Sequence, residues 1–246
     1  CGRGWGLMPP PENYVGWLVG CRWGGFPPTP DTRHSPDMKL LIATKNLHKL
    51  NEIRAILDIP GLHLVCAMEF PHVPDVIEDG DSFEDNATKK AMSLAMATGL
   101  WSLADDSGLE VDILNGAPGV FSARYAGAPV SYSANNAKLL HELNGQSNRK
   151  ARFRCAIALC SPKGLTRVVD GRCEGQIAPS VRGSRGFGYD PLFVPDGFTQ
   201  TFAEMDPRTK NEISHRARAL AKAREQWNAI LARDLDDGPE GWHPIL

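Results

Sequence analysis

From Met38 onward, apolar and polar residues follow two patterns that alternate along the chain. Period-2 alternation and short apolar runs predict strands, whereas apolar residues that recur every three or four positions predict helices. The predicted strands are 39–44, 62–66, 101–104, 109–113, 151–160 and 166–173. The predicted helices are 47–57, 83–98, 133–143 and a last one that starts between 211 and 214. Such alternation is typical of an α/β domain.

Local signals add detail to some of these elements. Ser82 is a predicted N-cap with the acidic Asp85 at position N3, and Gly99 is a predicted helix end. The alternation of apolar and polar residues in 151–160 and again in 166–173 predicts that these two strands form an antiparallel pair. One face of the last helix carries Ile213, Ala217, Leu220 and Trp227.

Residues 1–37 do not share this pattern. They contain seven Pro, seven Gly and three of the six Trp, without helical or strand periodicity. Composition predicts that 1–37 is an N-terminal extension, disordered or not native, although an appendage that docks through its tryptophans is an alternative. We therefore expect one folded domain at 38–235, followed by a C-terminal tail at 236–246.

Composition limits the function classes. Apolar residues make up 42% and charged residues 23%, and the net charge of −2 argues against binding nucleic acid or anionic membranes through bulk charge. No apolar run approaches the ~18 residues of a membrane span. Six cysteines without a CxxC pair favour free thiols in a reducing cytoplasm. Cys155 and Cys160 should point to opposite faces of one strand.

The first stretch with candidate chemistry is Thr44-Lys45-Asn46-Leu47-His48-Lys49, at a predicted strand-to-helix junction. Unpaired N–H groups and a partial positive charge make a helix N-terminus an anion site, and Lys45 and Lys49 add ammonium donors. The alternative is a polar turn with solvated lysines. The chain has no GxxxxGK[ST] motif, so a P-loop is excluded.

The second stretch is Asp105-Asp106-Ser107-Gly108, predicted to follow the end of strand 101–104. Paired carboxylates at a strand end suit a divalent cation, or a water held for general-base attack. A solvated turn is the alternative. Several carboxylates can share one site with lysines that bind phosphate when a metal ion lies between them. Glu78 is a candidate second ligand of that metal ion.

Three further stretches are less specific. The side chain of Lys90 is a candidate to face the same site as the two aspartates, whereas the side chain of Lys89 is expected in solvent. The glycine-flanked aromatic pair of 185–191 could stack on a flat ligand, or could be an incidental hairpin turn. Lys210, His215 and Arg216 could donate to phosphate or to base carbonyls, or could form a basic surface turn.

Taken together, six stretches resemble the inosine triphosphate pyrophosphatase family in order and spacing. They are Thr44–Lys49, Ser82–Ala87, Ala104–Gly108, Gly116–Gly127, Gly186–Leu192 and Lys210–Arg216, and the resemblance extends from Met38 to about Leu235. It implies an α/β fold with a mixed central sheet flanked by helices, in an elongated two-lobed single domain, and a homodimer. It also implies hydrolysis of ITP, dITP and XTP to monophosphate and pyrophosphate with Mg²⁺.

The resemblance also assigns roles. It makes Asp106 the general base and a metal ligand, Glu78 (or Asp79, one residue on) the other metal ligand, and Asp105 a supporting residue. It assigns substrate binding to Thr44, Lys45, Asn46, Leu47, His48, Lys49, Lys90, Ser107, Phe187, Gly188, Tyr189, Asp190, Lys210, His215 and Arg216. Two rivals remain: a Mg²⁺-dependent pyrophosphatase for pyrimidine or modified nucleotides, and a non-catalytic module that senses nucleotides or binds RNA.

Overall fold

The computed structural model describes residues 38–59 and 61–231. Its strands are β1 (Met38–Ile42), β2 (Leu62–Cys66), β3 (Trp101–Val111), β4 (Lys150–Cys160), β5 (Thr166–Ile177) and β6 (Phe193–Pro195). Its helices are α1 (Leu47–Ile56), α2 (Phe83–Thr98), α3 (Tyr132–Glu142), α4 (Pro207–Ile213) and α5 (His215–Leu231). The predictions for 1–37 and 236–246 concern residues outside this description.

The six strands form one mixed sheet in the order β2-β1-β3-β4-β5-β6. β1 runs parallel to both β2 and β3, whereas β3, β4, β5 and β6 are successively antiparallel. The predicted mixed sheet flanked by helices is therefore confirmed, as is the antiparallel pair that became β4 and β5. None of the helices in the described ranges has the length and hydrophobicity that a bilayer span requires.

Caps fix the helix boundaries that position the site. The Asn46 side chain accepts hydrogen bonds from the backbone N–H groups of His48 (2.9 Å) and Lys49 (3.3 Å), so α1 begins directly after the strand-to-helix loop. Ser82 accepts from the Asp85 N–H at 3.0 Å, and Gly99 ends α2 with a φ of 72°. The predicted boundaries of α2 are confirmed.

The core has a separate layer on each face of the sheet. Leu50 of α1 and Trp227 of α5 pack on one face, with Cys155 of β4 among them. Ala91 of α2 packs on the other face, with Cys160 of the same strand. The prediction that the two cysteines point to opposite faces is confirmed. A third apolar cluster joins Leu139 of α3 and Phe193 of β6 to the ends of β3, β4 and β5.

The prediction that strand 101–104 ends before Asp105 is wrong, and so is the alternative of a solvated turn at 105–108, because β3 is one continuous strand through these residues. β4 pairs with it from Ser102↔Cys160 to Val111↔Ala151, so the ladder provides backbone hydrogen bonds across the whole acidic stretch. Successive side chains alternate between faces, which sends Asp105 to the α1–α5 side and Asp106 to the α2 side. Ile113 lies in a short 3-10 helix and not in a strand.

The single C-terminal helix expected from the sequence is also wrong. Ser214 is extended (φ −66°, ψ 159°) and separates α4 from α5. Its hydroxyl accepts from the Ala217 N–H at 3.2 Å, as an N-cap does. Ile213 consequently packs against the third cluster, whereas Leu220 packs with the α1–α5 layer.

Candidate active site

A cavity of about 460 Å³ opens where β1 ends. The last residue of β1, Ile42, pairs with Leu103, and β3 continues to Val111 without β1 beside it. Ligand sites commonly lie outside the carboxyl ends of parallel strands, where a neighbouring strand stops. The walls come from the loop before α1, from α2 and β3, from the α4–α5 junction, and from the loop 185–191, which we call the Phe187 loop.

The stretch Thr44–Lys49 divides into residues that line this cavity and residues that do not. Thr44, Lys45, Asn46 and Lys49 line it, whereas Leu47 and His48 are exposed and lie outside the lining. The Lys45 ammonium lies 2.5 Å from the Asp75 carboxylate, near the surface. The His48 ring stacks on Phe187 instead, with the ring centroids 5.2 Å apart and the planes 13° from parallel.

Asp105 is a buried anion that holds together three elements. Its carboxylate lies 2.5 Å from the Lys49 ammonium and accepts from the Arg216 guanidinium at 3.0 and 3.3 Å. The Cys155 thiol donates to it at 2.8 Å. Burial alone would raise the pKa of Asp105, but the charges of Arg216 and Lys49 outweigh it and hold the pKa well below its usual range.

Asp106 has a different environment on the opposite face. One carboxylate oxygen lies 3.5 Å from the Lys90 ammonium, and the other is buried without a hydrogen-bond partner among the described residues. Burial raises the pKa of Asp106, and the nearby Lys90 and Lys49 offset this only in part. Asp106 lines the cavity, so its unpartnered oxygen is poised for a ligand.

Lys90 lies between Glu78 and Asp106, the two carboxylates that the family resemblance assigns to the metal. Its ammonium donates to the Asp105 carbonyl at 2.8 Å and lies 3.1 Å from the Glu78 carboxylate. Asp79 pairs instead with the exposed Lys89, and neither of these two lines the cavity. Of the two acidic candidates in this loop, Glu78 is the one that faces Asp106.

The Phe187 loop closes the other end of the cavity. Asp190 accepts from the Phe187 N–H at 2.9 Å and from the Lys210 ammonium at 2.6 Å, which fixes the turn. A Cβ at Gly186 would lie 2.0 Å from the Asp190 carboxylate, so only glycine fits there. Tyr189 is buried and donates to the Ser122 carbonyl at 3.0 Å, and the Gly188 carbonyl accepts from the Asn136 amide at 3.1 Å.

Lys210, His215 and Arg216 are buried and line the cavity, so the alternative of a basic surface turn is wrong. Arg216 also donates to the Ser107 hydroxyl at 2.9 Å. The His215 ring stacks on Phe153 with centroids 4.6 Å apart, and its Nδ1 has no hydrogen-bond partner among the described residues. Burial and the nearby Arg216 and Lys210 charges lower the pKa of His215 well below its usual value, which keeps it neutral.

Glu52 is a site residue that the sequence reasoning missed. Its carboxylate accepts from Lys210 at 2.9 Å and from Arg216. It follows Lys49 by three positions on α1, and this spacing on one helix face was the available signal. Asp190, Lys210, Glu52, Arg216, Asp105 and Lys49 thus alternate in charge from the Phe187 loop to β3, and we call them the charge row.

A mixed α/β sheet that places cations and acidic side chains around one cavity at a strand end is typical of a site for a phosphate-bearing ligand. The chain belongs to the Ham1 family, whose profile matches residues 40–226. This membership confirms the resemblance found in the sequence.

Curated relatives and solved structures match most of the chain. A Desulforamulus reducens protein named dITP/XTP pyrophosphatase is 52% identical over 195 residues, covering 78% of this chain and 97% of that protein. A Geobacter sulfurreducens protein of the same name is 51% identical over 196 residues, covering 78% and 98%. The structure of a HAM1 protein from Coxiella burnetii has 41% identity and a TM-score of 0.72, covering 78% of this chain and 99% of that one.

Proposed function

We propose that this protein hydrolyses non-standard purine nucleoside triphosphates (ITP, dITP and XTP) to the monophosphate and pyrophosphate, and so cleanses the nucleotide pool. The substrate class rests on the names of relatives about half identical over 97% or more of their length. The observation that carries the chemistry is the unpartnered, buried oxygen of Asp106, which lines a cavity that also holds lysines.

The donor set fits the Mg²⁺ that we propose as cofactor. Mg²⁺ is commonly held by one or two carboxylates together with substrate phosphates. Asp106 has an oxygen without a partner, and Glu78 shares Lys90 with it, so these two would hold the ion. When bound, Mg²⁺ offsets phosphate charge and polarises the phosphoryl oxygens.

Asp106 is the proposed general base. Its carboxylate accepts a proton from a water, whose oxygen bonds to the α-phosphorus while the bond to the oxygen that bridges to the β-phosphorus breaks. Lys90 and Lys49 supply positive charge beside this centre, and Asp105 holds Lys49 in place at 2.5 Å. Fixed cations stabilise the charge that develops on the leaving pyrophosphate without reorganising.

The other end of the cavity is suited to a purine. Phe187, whose ring stacks on His48, frames this end, and Lys210 and Arg216 lie within 6 Å of its centroid, at 5.3 and 5.9 Å. Donors directed at a 6-keto oxygen would lose their partner against the 6-amino group of adenine. A buried donor without a partner costs about 1–3 kcal/mol, which favours keto purines.

Asp106→Asn tests the proposed base. We expect pyrophosphate release from dITP to fall at least about 100-fold, because the amide cannot accept the proton. Circular dichroism should be unchanged, since the substitution is isosteric. The matched control is Asp170→Asn, which removes an exposed carboxylate that pairs with Lys222 away from the cavity. Near-normal turnover by Asp106→Asn would exclude it as the base.

A substrate panel with and without EDTA tests the reaction itself. We expect release from ITP, dITP and XTP to exceed that from pyrimidine and standard purine triphosphates, and EDTA to abolish it. Preference for pyrimidine nucleotides, or binding without turnover, would favour one of the rivals. The homodimer is proposed from the resemblance and the cytoplasmic location from the cysteines without a CxxC pair, and light scattering of the purified protein tests the dimer.

A further inference from the structure

Five of the cationic side chains that line the cavity have carboxylate partners. The pairs are Lys45–Asp75, Lys49–Asp105, Lys90–Glu78, Lys210–Asp190 and Arg216–Asp105. Arg124 lines the same cavity, yet it has no carboxylate within ion-pair distance among residues 38–59 and 61–231. A cation left uncompensated beside paired charges is available to an anionic ligand.

The contacts of Arg124 leave most of its donors free. One guanidinium nitrogen donates to the Glu78 carbonyl at 3.1 Å, and the group lies 5.2 Å from the Phe121 ring centroid. A guanidinium has five N–H donors, so this contact engages only one of them. The side chain is exposed, and a ligand can therefore reach the remaining donors.

The backbone that carries Arg124 is firmly held. Arg124 ends a short 3-10 helix, Gly119–Arg124, that packs against β3. The Ser122 hydroxyl accepts from the Leu109 N–H at 2.9 Å, and the Asn135 amide donates to the Ala123 carbonyl at 3.0 Å. The guanidinium is thus presented beside Glu78, next to the reaction centre at Asp106.

We propose that Arg124 binds the γ-phosphate of the substrate, which departs as part of the pyrophosphate, and so makes the site select triphosphates over diphosphates. This inference rests on the proposed function. Arginine binds phosphate oxygens in a bidentate fork, and its charge offsets the anion that leaves. Arg124 contacts the Glu78 carbonyl, the Glu78 carboxylate contacts Lys90, and Lys90 contacts Asp106, so Glu78 and Lys90 stand between Arg124 and the proposed base.

The test compares Arg124→Gln with Arg124→Lys and with a matched control, Arg167→Gln. Arg167 is exposed and donates to a carbonyl as Arg124 does, but lies outside the cavity. For Arg124→Gln we expect KM for dITP to rise about tenfold or more, since charge-assisted hydrogen bonds are lost. KM for dIDP, which lacks the terminal phosphate, should change little. Arg124→Lys should restore part of the loss, and Arg167→Gln should match the wild type.

Binding of inorganic tripolyphosphate, measured by calorimetry, provides a readout that needs no turnover. We expect its Kd to rise in Arg124→Gln by a factor similar to that of KM. If KM for dITP and dIDP rise equally, or if only the Mg²⁺ requirement changes, Arg124 merely holds the Glu78 loop and the inference is wrong. If the wild type does not hydrolyse dITP, the proposed function fails, and the tripolyphosphate comparison still decides the role of Arg124.

Discussion

At the residue scale, two adjacent carboxyl groups have opposite environments. Asp105 points to one face of β3, where Arg216 and Lys49 hold its pKa down, and Asp106 points to the other, where burial raises its pKa. Carboxyl groups whose pKa values are driven apart take different chemical roles. Asp105 therefore remains a fixed anion that positions cations, while Asp106 is the residue suited to exchange a proton.

His215 should make the stability of the fold depend on pH. Burial, Arg216, Lys210 and Lys49 lower its pKa in the folded protein, and the opposing charge of Asp105 does not cancel them. Below the ordinary value of about 6.5, the unfolded chain binds a proton that the folded protein does not, so stability falls as pH falls. From pH 7.5 to 5.5, the wild type should lose about 1 kcal/mol more unfolding free energy than His215→Phe.

Urea denaturation at the two pH values measures this difference. His215→Phe keeps an aromatic ring against Phe153, with which His215 stacks. The two proteins share every other titratable group, so the difference between their pH dependences isolates His215. Equal losses in both proteins would show that His215 titrates alike in the folded and unfolded chains.

At the scale of helices and strands, local sequence signals were sufficient to predict an element's ends where those signals act within one helical turn. Ser82 and Gly99 mark the ends of α2 through hydrogen bonds and backbone angles set by close neighbours. β3 could not be predicted in this way, because Asp-Ser-Gly favours turns by itself. Its continuity depends on the β4 ladder and on the cations Lys49, Lys90 and Arg216, which are distant in sequence.

Close packing of α5 on β5 predicts a sensitive glycine. A Cβ at Gly171 would lie 2.2 Å from the His215 carbonyl oxygen and 2.4 Å from the Ala219 nitrogen, both backbone atoms. Gly171→Ala should therefore destabilise the protein by about 1–3 kcal/mol or more, because a strand or a helix must shift. Differential scanning calorimetry measures the loss. The neighbouring Arg172→Ala, on an exposed side chain, should change stability little, and equal Tm values for both variants would contradict the close approach.

At the scale of the whole molecule, binding a highly charged anion does not require a basic protein. The net charge is −2, and the cations that line the cavity come from separate parts of the chain. Because each of these parts is a short local stretch, the sequence indicated most of the candidate site through short motifs. Glu52 was missed because its partner is distant in sequence: Arg216 lies 164 positions from it. Arg124 lies inside the stretch Gly116–Gly127, but the resemblance assigned it no role, and its contact with Glu78 spans 46 positions.

Removal of residues 1–37 should leave turnover intact. Every described residue that lines the cavity lies between Ala43 and Arg216, and the first strand of the sheet begins at Met38. Pyrophosphate release from dITP by the truncated and full chains, measured at matched concentrations, checks this expectation. A large loss of turnover in the truncated protein would show that the extension contributes to catalysis.

The charge row also limits how these positions can change during evolution. Arg216 is shared by Asp105 and Glu52, and Lys210 is shared by Glu52 and Asp190, so each of the four inner members balances two neighbours. Loss of one charge leaves its partner buried without a counter-charge, which destabilises the fold, whereas removal of two opposite charges together restores neutrality. Substitutions along the row should therefore be strongly epistatic, and accepted changes should arise in compensating pairs.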